Sequence, residues 1–227
     1  IHRIHLLTKL KQEELLDRTA YSWGGLELKM TEEDKQIRFN HLLKVARGGG
    51  GGSTYLKPRD EISFREVVKS KQITFPNEEL ETNKADSINF DHISTAYFQI
   101  VSETHVKNSS NDPYLSEKSY KSFISGMPFV MWGNAFTIRA LRDKGYRCYE
   151  EWINQSYDRI IDDGERLAAL IKEIKRLYEI PPEQWSIMLK EMLPTIEYNH
   201  KKLELNCTRS QKITKFKNEP DILRLIF

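Results

Sequence analysis

"TAYFQIVSETHVKNSSNDPYLSEKSYKSFISGMPFVMWGN", residues 95–134, changes period twice within forty residues. Tyr97, Phe98, Ile100 and Val101 form a nearly continuous aromatic and β-branched run, the pattern of a strand covered on both faces. A ten-residue polar loop follows, over 105–114. The chain then turns helical over 116–125, with Gly126 placed to cap the helix and Pro128 to stop it. "FVMW" (129–132) reads as a second buried strand. "AFTIRALRDKG" (135–145) makes another helix ending at Gly145, and "YRCY" (146–149) has the length and composition of a third short strand. Strand, helix, strand, helix, strand at this spacing is a βαβ pattern. It predicts an α/β fold with a parallel sheet and helices on both faces.

The flanking segments are more helical. "IHRIHLLTKLKQEELLDR" (1–18) sets Ile4, Leu7, Leu10, Leu15 and Leu16 close to helical spacing, and "AYSW" before Gly24 and Gly25 predicts a short strand ending in a turn. "EEDKQIRFNHLLKVAR" (32–47) predicts a short helix; the segment 54–89, punctuated by Pro58 and Pro76, gives mixed signals. Between them, "GGGGGS" (48–53) interrupts a charged region otherwise poor in glycine, with the composition of a flexible bridge of the engineered type. Together with a start at Ile1 rather than Met, it suggests a shortened chain in which a segment has been replaced. After 155, Leu167, Leu170, Ile171, Ile174 and Leu177 form one apolar stripe opposite charged positions. Pro181 and Pro182 break that helix, Pro182 suits the first turn of the next, and Pro194 is expected to kink or split it before it ends near 203. The expected organisation is an α/β domain over 1–155 and a helical extension over 156–227 that packs back on it.

Composition narrows the function classes. With 39% hydrophobic and 30% charged residues in 227, the chain is an ordinary globular one, and no apolar run reaches the roughly 20 residues of a membrane span. Two cysteines, Cys148 and Cys207, are too few for a disulfide framework, which suits a reducing, cytoplasmic setting. The six histidines form no HExxH or Cys/His cluster, so no metal site is expected. No GxGxxG, P-loop or GxSxG motif is present, against a dinucleotide oxidoreductase, an NTPase and an α/β-hydrolase. A net charge of +2 makes no whole-molecule case for nucleic acid, although a local basic face stays open.

In open parallel sheets, ligands bind in the crevice beyond the carboxyl ends of the strands. The first strand delivers Ser102, Glu103 and Thr104 to that edge, the second ends there at Gly133 and Asn134, and the loop returns Ser116, Glu117 and Lys118 at a helix start. A helix N-terminus favours an anion such as phosphate. Lys118 adds a full positive charge, and Glu117 can accept from the two hydroxyls of a ribose or a sugar. The alternative is that Ser116 merely caps its helix, with Glu117 favourable near the dipole and Glu103 a strand-end charge in solvent. His2 and Arg3 similarly read as a second anion site or as a frayed terminus. Asp162 and Asp163, after "SYD" (156–158), lack metal-ligand partners at matching spacing and read as a solvated helix start.

The linked segments "YFQIVSET", "LSEKSYKSFISGMPFVMWGN" and "IRALRDKGYRCYEEWINQSYD" resemble a group of phage and bacterial proteins that share an ET…SEK…G-PF…LR-G…SYD pattern. The leading "IHRIHLL" followed by "YSW" is similar to an earlier segment of the same group. The SEK and G-PF portion also resembles the donor-binding half of GT-B glycosyltransferases. That resemblance implies a Rossmann-like sheet followed by a helical extension, a nucleotide-diphosphate sugar as donor substrate, and no cofactor. Glu117 would hold ribose or sugar hydroxyls, Lys118 with the helix start would hold the diphosphate, and Arg3 would stabilise the charge on the departing diphosphate. Lys121 and Ser122 stand where the group often has Lys-Pro, and the first Rossmann domain, which usually supplies acceptor site and general base, is missing.

The implied reaction is transfer of the sugar to an acceptor: a modified DNA base, a glycan or a protein. DNA would suit Arg139, Arg142 and Lys144 together with the basic tail at Lys212, Lys215 and Lys217. Two other classes stay open. One is a phage binding or inhibitory module that retains the fold without catalysis. The other is a nucleic-acid-processing protein with Glu103, Asp158 and Asp162 around Mg²⁺.

Overall fold

The computed structural model describes residues 2–23, 31–47, 60–70, 72–73, 94–106 and 113–209. The glycine bridge, most of 54–89 and the tail from 210 lie outside the described residues. The chain forms two compact units, one of residues 1–84 with 162–175 and one of 85–161 with 176–227.

In the first unit, α1 (His2–Gln12) turns Ile4, Leu6 and Leu10 inward. The helix expected to run to 18 stops earlier. Glu14 adopts φ 57°, the Leu15 N–H returns to the Leu10 carbonyl at 2.9 Å, and a 3₁₀ turn (Leu16–Arg18) follows. Breaking the helix lets the adjacent Leu15 and Leu16 both be buried. The short strand predicted from "AYSW" is β1 (Ser22–Trp23), paired antiparallel with β2 (Gln72–Ile73).

Thr31 caps α2 (Glu32–Ala46) by accepting from the Asp34 N–H at 3.1 Å. Phe39, Leu43 and Ala46 of α2 meet Ile4 and the Phe64, Val67 and Val68 face of α3 (Glu61–Lys69) in one apolar core. At the start of α3 the fully buried Asp60 carboxylate accepts from Lys9 Nζ at 2.6 Å and Gln12 Nε2 at 2.8 Å, which ties α3 to α1. Residues 162–175 belong to this unit and include most of α6 (Asp163–Tyr178), with Leu167, Leu170, Ile171 and Ile174 buried. Only Asp162 of its aspartate pair matches the solvated helix start: exposed, it accepts from the Glu165 N–H at 2.8 Å. Asp163 is buried against the equally buried Arg166, at 2.6 Å.

The second unit holds the stretch on which the sequence reading turned. β3 (Gln99–Ser102) and β4 (Phe129–Trp132) pair in parallel, Gln99 opposite Phe129 through Ser102 opposite Trp132, and α4 (Glu117–Ile124) connects them. Gly126 ends that connection at φ 66°, a left-handed conformation that strains any residue with a Cβ. Every residue of β4 is buried, as its unbroken apolar run requires. After β4 come α5 (Thr137–Asp143), a 3₁₀ turn (Ser156–Arg159) and α7 (Pro182–Arg209). The fold is therefore mixed α/β and mostly helical, with a small two-stranded parallel sheet.

Two expectations change here. "YRCY" forms no strand, because a side chain takes the place of a neighbouring strand: Asn199 on α7 accepts from the Arg147 N–H at 2.8 Å and donates to the Arg147 carbonyl at 2.7 Å. Pro194 does not split the last helix, which is continuous from Pro182 to Arg209. Trp185, Met188, Met192, Ile196 and Asn199 are buried on both sides of the proline, so packing outweighs the one backbone bond it removes. Among the described residues, no helix is long and apolar enough to cross a membrane.

Candidate functional site

Glu103 follows the last residue of β3 and is completely buried. Its carboxylate accepts from the Ser116 N–H (3.2 Å to Oε1, 3.3 Å to Oε2), from Ser116 Oγ at 2.5 Å, from the Thr104 N–H at 3.0 Å and from the Ser119 hydroxyl. A buried carboxylate is tolerated only when its oxygens are saturated with donors, and both ends of the intervening loop supply them. The strand end thereby fixes the helix start. Ser116 in turn caps α4, its Oγ accepting from the Lys118 N–H at 3.2 Å.

This arrangement spends part of what a helix N-terminus offers an anion. The Ser116 and Lys118 amides are already engaged, by Glu103 and by the capping hydroxyl. What remains open above them is made of side chains. Lys118 Nζ pairs with the Glu117 carboxylate and donates to Thr104 Oγ1 at 3.3 Å. The Lys118 ammonium holds the Glu117 carboxyl below the usual carboxylate range, against a smaller opposing effect of burial. Thr104 and Glu117 are exposed and Lys118 is half-buried.

The end of β4 is tied to the same loop. A Cβ on Gly133 would stand 2.8 Å from Thr137 Oγ1, which donates to the Asn134 carbonyl at 2.7 Å, so this bend tolerates no side chain at 133. Asn134, also buried, accepts through Oδ1 from the Tyr114 N–H at 3.2 Å and so ties the end of β4 to the loop that leads into α4. Below it, Phe136 takes a left-handed conformation (φ 67°) with its N–H on the Asp158 carbonyl at 2.6 Å. The Asp158 carboxylate caps α5 from outside, accepting from the Ile138 and Arg139 N–H groups at 2.9 and 3.1 Å. Next to it, Tyr157 OH accepts from the Met131 N–H of β4 at 3.0 Å.

Of the residues singled out by sequence, the fold brings Glu103, Thr104, Ser116, Glu117 and Lys118 into one cluster and links it to Asn134 through Tyr114. Glu103, Ser116, Gly133 and Asn134 are buried and act as structural supports; Thr104, Glu117 and Lys118 form the accessible part. Arg3 stands exposed on α1, in the first unit. Asp158, named with Glu103 and Asp162 in the Mg²⁺ reading, has its carboxylate turned to the start of α5, and no group of three or more metal-ligating side chains occurs among the described residues.

Two residues at the edge of this surface were not singled out. His105 and Tyr114 bound the loop, both exposed, with ring centroids 4.8 Å apart and planes at 83°. Their positions flanking a polar loop at a strand end were the available signal. No protein-family model, no curated protein and no solved structure matches the chain.

Proposed function

We propose that the second unit is a Rossmann-like nucleotide-sugar-binding module, related to the donor half of GT-B glycosyltransferases, whose reaction would pass the sugar to an acceptor. The observation that carries this reading is the group of exposed Thr104 and Glu117 with half-buried Lys118 at the carboxyl end of a parallel strand, held by the buried Glu103. In parallel α/β sheets that edge is where ligands bind.

The chemistry follows from what each group can exchange. The diphosphate of a donor takes the Lys118 ammonium, with the Thr104 hydroxyl as a further donor, and the macrodipole of α4 adds to the attraction. Releasing Glu117 from Lys118 costs little, since ion pairs at a surface are worth about 0–1 kcal/mol. The freed carboxylate then accepts from a pair of ribose or sugar hydroxyls. As the sugar leaves, charge grows on the diphosphate, and Lys118 is placed to stabilise it. Glu103 and Ser116 act as positioning residues.

The test is thermal unfolding of the whole chain in the presence of UDP-, GDP- and CDP-sugars. At least one should raise Tm, and Lys118→Ala should weaken that ligand by about 10- to 100-fold, the span of one charge-assisted hydrogen bond. A flat response of the parent chain across the panel overturns the reading.

A further inference from the structure

We propose that the corner between His105 and Tyr114 is a stacking platform for the planar base of the nucleotide whose phosphates reach Lys118; this rests on the nucleotide reading above. The two rings meet nearly at right angles. A third flat ring can stack on one of them and meet the other edge-to-face, which are the two favoured aromatic arrangements. Both rings are exposed, Tyr114 by 49%. Among the described residues of this unit, Tyr97 is also exposed but lies flat against the buried Trp185, and Phe123 stacks on the buried Tyr146.

The backbone on either side of the corner is also anchored. His105 is two residues beyond the buried anchor Glu103, and the Tyr114 backbone is held by Asn134 Oδ1 at 3.2 Å. Anchoring the backbone leaves only the side chains for a ligand to order, which lowers the entropy it must overcome. The neighbourhood of a cation suits the ligand class. His105 directly follows Thr104, whose hydroxyl is 3.3 Å from Lys118 Nζ, so the chain keeps the aromatic corner in the vicinity of the ammonium. A flat apolar face next to a single positive charge fits a base joined through a sugar to phosphate. It fits a simple anion less well, since an anion makes no use of the rings. Stacking reads the flat face common to all bases, so this surface sets affinity for the nucleotide without choosing the base.

Calorimetric titration of the whole chain with UDP, GDP and inorganic pyrophosphate tests the idea. The parent chain should bind the nucleoside diphosphates more tightly than pyrophosphate. Tyr114→Ala should weaken UDP and GDP by about 5- to 140-fold, the worth of one base–aromatic stack, and leave pyrophosphate unchanged; Tyr114→Phe should retain binding. If Tyr114→Ala also loses pyrophosphate, the variant has lost the loop geometry, and His105→Ala is judged by the same comparison. Nucleotide binding unaffected by either alanine variant overturns the platform and leaves the nucleotide reading intact. So does equal affinity of the parent chain for pyrophosphate and the nucleotides. No binding of any of the three ligands overturns both.

Discussion

A single carboxylate, Glu103, joins the strand end, the returning loop and the first turn of α4, accepting from the Thr104 and Ser116 amides and from the Ser116 and Ser119 hydroxyls. Hydrogen bonds to a charged group are worth about 1.5–3 kcal/mol each when their loss leaves a partner buried. Glu103→Ala should therefore lower stability by about 3–5 kcal/mol in urea unfolding, and Glu103→Gln by less; a loss under 1 kcal/mol for the alanine variant would contradict the role given to it. His5 carries a pH dependence. Burial, with the positive charge of Lys9 adding to it, lowers its pKa to about 3, so the folded state keeps it neutral where the unfolded chain would be protonated. The unfolded state then binds more protons between pH 3 and about 6.5, and stability falls as pH falls through that window by up to about 1.4 kcal/mol per unit. Urea midpoints of the parent chain and His5→Gln at pH 7 and pH 5 should show the parent losing more. Cys148, whose thiol burial pushes up to about 12, should resist alkylation at pH 8 until the protein unfolds, as followed by mass spectrometry of its peptide.

Elements here are terminated and joined by side chains from far along the chain. α5 begins after a left-handed phenylalanine and has no cap of its own, and Asp158, some twenty residues later, supplies one. Asp158→Ala should cost about 1–2 kcal/mol, the ordinary worth of an N-cap, measured by chemical unfolding; an unchanged midpoint would show that Phe136 and its backbone contact suffice. Asn199 does for the segment after α5 what a strand would do. This explains why "YRCY" was misleading: its aromatic and apolar residues are buried as in a strand, but its backbone partner is an amide side chain on α7. Periodicity reports burial; it does not report what satisfies the backbone. The helix start at Ser116, the glycine end at Gly126 and the register-free run "FVMW" were legible because caps, left-handed glycines and buried strands are local chemistry.

Among the described residues of the whole molecule, apolar burial forms a cluster in each unit. One is centred on Phe39, Phe64, Val67 and Val68, and the other lies around β3, β4 and the aromatic residues that pack on them. Native-state hydrogen exchange should find the slowest amides of the second unit at the Glu103 and Met131 N–H groups, which are bonded within its core; exchange there as fast as in the unfolded chain would contradict this organisation. The sequence by itself determined the parallel βαβ unit, the capped helix at Ser116, the apolar stripe of α6 and the gathering of a carboxylate, a hydroxyl and an ammonium at one strand edge. These follow from periods, caps and the short reach of a loop. Tertiary structure alone decided which of those groups face solvent. Glu103 and Ser116 turn inward, since a buried strand end brings a carboxylate within reach of hydroxyls and amides that would otherwise be unsatisfied. Lys118, Glu117 and Thr104 are left outside, where water or a ligand can compete for them.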